Sequence, residues 1–335
     1  MDKSIDVYAR RIVAGKLPAG KYHRLACARH LRDCAREATP AFPYRFAVDL
    51  ADRFVRFAEK QKHYKGRQWA GKLIALSDCQ RFRLGSVFGW VHVETGLRRF
   101  RTAYNELPRK QGKSLEAACV ATYLTFFDGE AGAEGYTAAT KRDQARIVFN
   151  DAKKLVQTNA GLKQRIGVHV SNLHHTASSS KLEPLSADYN SMDGLNPHLV
   201  VLDEFHALKD RGTLDVLETA MGARLQPLMF QITTAGDDEL SPCGEQHHYA
   251  CQILEGALED ETFFAFISHA DPEDDPFAEE TWKKANPHYG LSVNPADMRA
   301  LAVKAQHMPS AAAAFKQKRL NLWVNASSPW LDLEQ

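Results

Sequence analysis

The sequence predicts an α/β fold with a mostly parallel sheet, for three reasons. From about residue 98, short apolar segments alternate with longer segments whose apolar residues recur at helical spacing. Residues 199–202 are consecutive aliphatic residues, which is typical of a strand buried on both faces. Polar residues directly follow several of the short apolar segments, which is the position at which ligands bind in open parallel sheets. Such alternation indicates a sheet covered by helices.

The elements follow in chain order. Residues 44–61 carry phenylalanine and leucine at helical spacing, so we expect an amphipathic helix within an N-terminal helical region. The expected strands are 100–106, 134–140, 165–170, 199–202 and 228–236, and the expected helices between them are 114–127 and 141–157. Residues 271–282 are expected to be a proline-bounded loop and the acidic first turn of a helix, not a metal site.

Composition limits the class of protein. The chain has 335 residues, of which 44% are hydrophobic and 25% charged, as in globular proteins. No apolar run approaches the roughly 18 residues of a membrane span, and the first residues lack the apolar stretch of a secretory signal. The 6 cysteines form no Cys-x-x-Cys pair, which indicates reduced thiols and an intracellular setting.

Charge is distributed unevenly along the chain. Residues 1–72 contain 17 Lys and Arg against 7 Asp and Glu, whereas residues 255–280 contain 10 Asp and Glu and no Lys or Arg. The basic region suits contact with nucleic acid or an acidic partner, but a solvated helix face is the simpler explanation. The sequence leaves both explanations open.

The segment "LPRKQGKS" contains half of a phosphate-binding loop. Gly112, Lys113 and Ser114 match the end of the pattern G-x-x-x-x-G-K-S/T, in which the lysine reaches the β and γ phosphates and the hydroxyl binds Mg²⁺. Leu107 stands where the first glycine belongs, so the turn departs from the pattern. The predicted order of strand, loop and helix is nevertheless the context that such a loop requires.

Two carboxylates, Asp203 and Glu204, follow the aliphatic strand 199–202. In P-loop ATPases an Asp at this place helps to hold Mg²⁺, and we expect the neighbouring Glu to polarise the water that attacks the γ phosphate. Because Lys113 and Ser114 precede this pair by some 90 residues, the combination predicts hydrolysis of ATP with Mg²⁺ as cofactor.

Three further polar residues suit a nucleotide site. Thr233 and Thr234 end the expected strand 228–236, where they are placed to sense the γ phosphate. Gln80 precedes the first strand of the sheet, and its amide offers both a donor and an acceptor to the edge of adenine.

The chain resembles the large terminase subunit of tailed bacteriophages, especially the lineage with capsids of the HK97 type. Segments that carry the resemblance lie in the family's order from about Leu76 to Trp323: "CQRFRLGSVFGW", "RRFRTAYNELPRKQGKS", "TKRDQARIVF", "DGLNPHLVVLDEFHAL", "GARLQPLMFQITTAG", "WKKANP" and "NLWV". The resemblance also accounts for Leu107 at the place of the first glycine, because terminases typically have a P-loop that lacks this glycine and contains basic residues.

The resemblance implies a RecA-like P-loop ATPase core of the ASCE class at 73–270, an N-terminal helical region at 1–72 and a small lid subdomain at 271–325. Residues 326–335 would begin a linker to a nuclease domain, so we expect the ATPase portion only and no nuclease activity. The implied site residues are, for Walker A, Arg109, Lys110, Gln111, Gly112, Lys113 and Ser114; for Walker B, Asp203 and Glu204; for coupling, Thr233 and Thr234; for adenine, Gln80.

The family's activity is translocation of double-stranded DNA into a procapsid. The implied partners are that DNA, the portal protein, the small terminase subunit and further copies in a homo-oligomeric ring, in the host cell cytoplasm and away from membranes. Ring ATPases complete the site with an arginine from a neighbouring subunit. Arg224 is the first candidate for this arginine, and Arg142 is the second.

Two other functions deserve comparison. A helicase-like, nucleic-acid-dependent ATPase also pairs a P-loop with Asp-Glu, but residues 256–323 are too few for a second RecA-like domain. A non-catalytic nucleotide-binding assembly subunit would bind ATP only to lock an interface, and would have no use for a water-polarising Glu204.

Overall fold

The structure is a computed structural model that describes residues 4–140, 142–185, 194–209 and 211–324. Strands in these ranges are β1 (Tyr44–Phe46), β2 (Trp90–His92), β3 (Thr102–Glu106), β4 (Glu134–Ala138), β5 (Gly167–Val168), β6 (Leu173–His175), β7 (Ser180–Pro184), β8 (Pro197–Asp203), β9 (Leu228–Thr233) and β10 (Phe263–Ile267). All except β1 and β2, which form a separate antiparallel pair, belong to one sheet with the order β10-β3-β9-β8-β4-β7-β6-β5.

Helices surround this sheet and build the N- and C-terminal regions. They are α1 (Ser4–Val13), α2 (Lys21–Ala35), α3 (Val48–Glu59), α4 (Asp78–Gly89), α5 (Lys113–Phe127), α6 (Arg142–Thr158), α7 (Ala160–Lys163), α8 (Gly212–Ala220), α9 (Pro242–Glu255), α10 (Glu279–Ala285), α11 (Pro295–His307) and α12 (Pro309–Leu320). α5 and α6 pack against each other and against β4 and β8, while α2 and α9 pack against β10. Within the described ranges, no helix combines the length and apolarity needed to cross a bilayer.

The predicted α/β fold with a mostly parallel sheet is confirmed. Strands β10, β3, β9, β8, β4 and β7 are parallel to one another, whereas β6 pairs antiparallel with both β7 and β5 at one edge. Every residue of β8 is buried, as its aliphatic run predicts. β9 lies between β3 and β8, so the ends of these three strands are neighbours at one edge of the sheet.

The prediction is wrong in detail at the two sides of the sheet. Only Gly167 and Val168 of the expected strand 165–170 form a strand, and this strand is at the antiparallel edge. The neighbour of β4 is instead β7, whose "SKLEP" contains a single aliphatic residue, Leu182, and therefore lacks a local strand signal. β10, "FFAFI", completes the other side beside β3.

The C-terminal helices have a hydrophobic core of their own. Trp282, Met298 and Phe315 belong to a cluster that is separate from the main core and extends from Ala270 to Leu322. This cluster fits a small subdomain, as the sequence predicts for 271–325. The expected linker, 326–335, lies outside the described residues.

The basic helix α2 and the acidic segment 255–271 contact each other in the folded chain. In α2, Lys21 pairs with Glu255 at 2.5 Å and Arg24 with Asp271 at 3.5 Å, and Arg36, directly after the helix, pairs with Glu261 at 2.7 Å. Much of the positive charge of α2 is thus balanced by the acidic segment 255–271 of the same chain. This internal pairing favours a structural explanation for α2 over contact with nucleic acid.

Candidate active site

The loop between β3 and α5 has the strained backbone of a phosphate-binding turn. Gly112, at the N-terminus of α5, has φ +79°, and Lys110 has φ +74°, in the left-handed region that a lysine rarely adopts. Leu107 is not among the residues with positive φ, and it is 1% exposed. Its position therefore does not require glycine, and its side chain instead anchors the loop in the core.

Lys113 lies at the centre of the loop. Its Nζ donates hydrogen bonds to the carbonyl oxygens of Leu107 at 2.5 Å and Pro108 at 3.1 Å, and to Oγ1 of Thr234 at 2.7 Å. Burial lowers the pKa of Lys113 to about 8, although the carboxylates of Glu204 and Asp203 oppose that shift. The ammonium group is therefore held within the loop and close to both carboxylates.

The two carboxylates occupy the end of β8. Oδ1 of Asp203 accepts a hydrogen bond from the backbone N–H of Glu204 at 2.8 Å, and Asp203 is 6% exposed. Burial and the neighbouring Glu204 raise the pKa of Asp203 to about 6. Glu204 has φ +53°, a strained conformation that turns the chain sharply after the strand. Since strands are about 4.8 Å apart, this end lies about 10 Å from the end of β3.

The polar end of β9 fills the space between the loop and the carboxylates. Thr234 binds Lys113, and Oγ1 of Thr233 accepts a hydrogen bond from the backbone N–H of His206 at 3.0 Å. Nδ1 of His206 lies 3.1 Å from the same hydroxyl, and its Nε2 lies 3.4 Å from Oε2 of Glu204. His206 therefore bridges Glu204 and Thr233, although nothing in the local pattern "DEFHAL" distinguishes it.

A largely apolar cavity of about 260 Å³ opens beside the start of α5. Its walls come from four parts of the chain: His63 and Trp69 before α4, Gln80 and Leu84 on α4, Gly112 and Leu115 at the loop, and His288 and Leu291 after α10. Such a cavity beside a phosphate loop suits a nucleotide base. The sequence predicted Gln80 here, but the other walls come from segments with no recognisable motif.

Gln80 is already engaged by protein atoms. Its Oε1 accepts from the backbone N–H of Ser77 at 2.8 Å, and its Nε2 donates to Glu116 at 2.7 Å. Glu116 also forms a buried ion pair with Arg83 at 2.6 Å, which joins α4 to the first turn of α5. Gln80 therefore helps to fix the cavity wall relative to the phosphate loop.

The small C-terminal subdomain forms hydrogen bonds with the phosphate loop. Gln111, which is 1% exposed, donates through Nε2 to Asn286 at 2.9 Å and accepts from the N–H of His288 at 3.1 Å. The carbonyl of Lys110 accepts from Ser292 at 2.6 Å, and the N–H of Arg109 donates to the carbonyl of Lys318 at 2.9 Å. The side chain of Gln111 thus contacts the subdomain. The side chains of Arg109 and Lys110, in contrast, are exposed to solvent.

The two candidate trans-acting arginines lie in different settings. Arg224 precedes β9 at the opposite edge of the sheet, where it pairs with Glu130 at 2.9 Å and donates to the carbonyls of Asn196 and Gly132. Its guanidinium group is therefore occupied within its own chain. Arg142 begins α6 directly after the end of β4, at the edge that carries the site.

The carboxylates of the acidic segment 271–275 are partly neutralised by a lysine of the same chain. Asp271 and Asp274 pair with Lys284 at 3.1 and 2.6 Å. Asp6, His30 and Cys34 form the cluster with metal-ligand spacing among the described residues. However, Trp90 donates its indole N–H to Nδ1 of His30 at 3.2 Å, so the other nitrogen carries the proton in the neutral ring and donates towards Asp6.

Comparison with known proteins identifies both regions of the chain. Residues 78–252 match the family model "Terminase large subunit, ATPase domain", and residues 257–335 match "Terminase large subunit, endonuclease domain". The expectation of an ATPase portion only, without nuclease, is therefore wrong. The segment 271–325, which the resemblance leads us to expect as a lid, lies within the endonuclease-domain match, and no local motif in its sequence marks that domain.

Relatives and solved structures agree with this match. The chain is 30% identical over 247 residues to "Terminase, large subunit" of Enterobacteria phage HK97, covering 67% of this chain and 45% of the relative. It is 35% identical over 141 residues to "Protein YmfN" of Escherichia coli (strain K12), covering 42% and 31%. The crystal structure of the HK97 bacteriophage large terminase superposes with a TM-score of 0.71 at 25% identity, covering 84% of this chain and 57% of that one.

The chain spans less than half the length of these two relatives. The ATPase-domain match alone covers more than half of the chain, and it contains the phosphate loop, both carboxylates of β8 and the threonines of β9. The chain belongs to the terminase large subunit family.

Proposed function

We propose that the chain hydrolyses ATP at the carboxyl edge of its sheet, and that this hydrolysis drives double-stranded DNA into a procapsid. The observation that carries the proposal is the convergence of Lys113, Thr234, Asp203 and Glu204 at the adjoining ends of β3, β9 and β8. A protein that only bound nucleotide would not need Glu204 beside the phosphate loop, so hydrolysis is favoured over the binding-only alternative.

Each residue has a distinct part in this proposal. Lys113 exchanges the carbonyls of Leu107 and Pro108 for phosphate oxygens, which are stronger acceptors because they are charged. Glu204 accepts a proton from the attacking water and orients that water towards the γ phosphate. Thr233 and Thr234 connect this chemistry to β9, since they bind His206 and Lys113 respectively.

The donor set at the site suits Mg²⁺. The hydroxyl of Ser114 and the carboxylate of Asp203 are oxygen ligands, which Mg²⁺ prefers. The ion would supply positive charge that stabilises the phosphate oxygens as the bond to the γ phosphate breaks. Because the pKa of Asp203 is about 6, this carboxylate is ionised at neutral pH and available to the ion.

The apolar cavity beside α5 accounts for recognition of the base. His63, Trp69 and Leu291 present rings and aliphatic surface for stacking, and Gln80 and Ser292 provide polar atoms at its wall. By the family relationship we also propose contact with double-stranded DNA, the portal protein, the small terminase subunit and further copies in a ring, in the host cell cytoplasm.

The decisive experiment compares two variants with wild type. Glu204→Gln is expected to lower kcat for ATP by about 10²-fold or more while leaving nucleotide affinity nearly unchanged, because the amide cannot accept the water's proton. Lys113→Ala is expected to weaken binding of ATP as well. Steady-state phosphate release and equilibrium binding of a fluorescent nucleotide measure both. Wild-type hydrolysis by Glu204→Gln would contradict the proposal.

We further propose that Arg142, rather than the intramolecularly bound Arg224, completes the site of a neighbouring subunit. A finger of this kind contributes about 10³-fold or more to the rate. Arg142→Ala and Glu204→Gln subunits, each inactive alone, are expected to regain partial ATPase activity when mixed. Arg224→Ala is the matched control and is expected to retain activity in the folded fraction. If Arg224→Ala is inactive and is rescued by mixing, the two assignments are reversed.

A further inference from the structure

A basic surface that the nucleotide site does not use is formed by two stretches that are distant in sequence. Residues 60–77 contain five Lys and Arg, and residues 152–182 contain another five. Neither stretch contains an Asp or Glu. Ten cations in two acid-free stretches are unusual in a chain whose net charge is only +2.

The two stretches lie against each other. The amide of Asn159 donates to Oε1 of Gln61 at 3.0 Å, and Lys65 reaches Asp151 at 2.7 Å, with Tyr64 also contacting that carboxylate. A bridge between Lys62 and Leu73 closes the first stretch into a compact loop. We define the basic surface as the exposed cations of both stretches that flank these contacts: Lys60, Lys62, Lys65, Arg67, Lys72, Lys154, Lys163 and Arg165.

Most of the charge of the basic surface has no carboxylate partner among the residues that the structure describes. Asp151 is 4% exposed and is already bound by Tyr64 and Lys65, while nearby Glu59 pairs with Arg81 at 2.6 Å. In the part of the chain that the structure describes, Lys65 is the only cation of the basic surface with a carboxylate partner. Helix α2 differs, because its cations pair with residues 255–271.

Aromatic rings are interleaved with these cations. His63 and Trp69, whose ring centroids are 5.4 Å apart, are half-buried between the exposed Lys62, Arg67 and Lys72. The same two rings form a wall of the cavity assigned to the base. The loop that carries the basic surface is thus in direct contact with the nucleotide site.

We propose that the basic surface binds the phosphate backbone of double-stranded DNA. Clustered, unpaired Lys and Arg interleaved with aromatic residues are the electrostatic footprint of a nucleic-acid contact. Duplex DNA, with one charge per about 1.7 Å of axis, supplies the dense negative charge that such a cluster lacks. The choice of duplex DNA rests on the proposed function, whereas the location of the surface rests on the charges alone.

A second copy of the chain is a weaker candidate for this surface. Its acidic counterpart would be the segment 271–280, but Asp271 and Asp274 pair with Lys284, and Glu280 pairs with Lys283 at 2.7 Å. These carboxylates are already balanced by their own chain. Little unpaired negative charge is left there to attract the basic surface of a neighbour.

The test measures binding of a labelled random-sequence 30-base-pair duplex by fluorescence anisotropy, without nucleotide, between about 50 and 200 mM salt. The variant carries Lys62→Gln, Arg67→Gln and Lys72→Gln, and the control carries Arg10→Gln, Lys16→Gln and Arg45→Gln, which are equally exposed cations elsewhere. We expect the variant to lose about ten-fold or more in affinity at 100 mM salt, with the slope of log K against log salt reduced by about 2 to 3. The control is expected to change neither quantity appreciably.

Other outcomes would overturn the inference. Equal loss in both triple variants would show a diffuse effect of net charge, and no binding of the duplex by wild type would also contradict it. Altered sedimentation of the variant with unchanged DNA affinity would assign the surface to self-association, and selective loss of binding to poly-glutamate would assign it to an acidic protein. ATPase activity without DNA, which is expected to be unchanged in the variant, reports on the proposed function separately.

Discussion

Strand β8 has a buried charged site at each end, and the pKa of the carboxyl group is shifted in opposite directions at the two sites. At its start, His198 lies 2.9 Å from Asp128, which also pairs with Arg98 at 3.2 Å. Burial opposes ionisation of Asp128, but Arg98 and His198 outweigh it and lower the pKa of that carboxyl. At the other end, burial raises the pKa of Asp203 to about 6, because its nearest charged neighbour is another carboxylate, Glu204.

The comparison shows how a structural charge differs from one kept for chemistry. Asp128 has a cationic partner, Arg98, within its own chain, so loss of either charge would leave the other buried and unpaired. Among the described residues, Asp203 has no cationic side chain within ion-pair distance, so its charge is available to the Mg²⁺ that we propose for the site. Backbone strain is also present at the Asp203 end, where Lys110 and Glu204 have positive φ.

The largest expected effect on stability is at the Asp128 end. Asp128→Ala leaves Arg98, which is 8% exposed, without its carboxylate, and is expected to lower the free energy of unfolding by about 3–5 kcal/mol. Urea denaturation measures the loss, and ATPase activity per folded molecule should stay within a few-fold of wild type. Asp215→Ala, at an exposed ion pair, is the control, with an expected change below about 0.5 kcal/mol. A stable but inactive Asp128→Ala would remove the distinction between the two ends.

Asp203→Asn is expected to stabilise the metal-free protein. A carboxyl with a pKa of about 6 in the folded protein and about 4 when unfolded holds its proton more tightly when folded, so stability falls as pH rises from about 4 to 6. The neutral amide removes that slope and is expected to raise the free energy of unfolding at pH 7 by about 2–3 kcal/mol. The gain should vanish below about pH 4. Urea unfolding at several pH values, without Mg²⁺, tests this, and an unchanged pH slope would show that Asp203 is not perturbed.

The smallest expected effect comes from relieving backbone strain at the Asp203 end. Lys110→Gly places glycine at φ +74° and is expected to raise the free energy of unfolding by about 0.5–1 kcal/mol. Arg109→Gly, at a neighbouring position without positive φ, is the control and is expected to be neutral or destabilising. Thermal unfolding distinguishes the two variants. A lower melting temperature for Lys110→Gly would mean that contacts of its side chain outweigh the strain.

Local patterns were sufficient to predict which polar residues lie together at the strand ends. Gly112 to Ser114, Asp203 with Glu204, and Thr233 with Thr234 each follow a segment whose apolar residues predict a strand, and the structure brings all three to one edge. This was possible because parallel strands release their carboxyl ends on the same side of a sheet. The assigned roles of these residues stay predictions until the variants are measured.

Long-range partners were beyond prediction. His206 becomes part of the site only because β9 pairs with β8, and Gln111 meets Asn286 across 175 residues of sequence. The endonuclease-domain match of 257–335 was likewise invisible to local motifs.

The amino-acid sequence by itself determined the α/β class, the phosphate loop and the two carboxylates, because periodicity and strand-end motifs are encoded within short windows. Only the tertiary structure decided which charged side chains are paired within the chain. Residues 1–72 contain 17 Lys and Arg against 7 Asp and Glu, yet cations of α2 pair with the segment 255–271, whereas among the described residues Lys65 is the one cation of the loop at 60–73 with a carboxylate partner. The physical reason is that neutralisation depends on distance in space, over which Coulomb attraction and burial act, and not on separation along the chain.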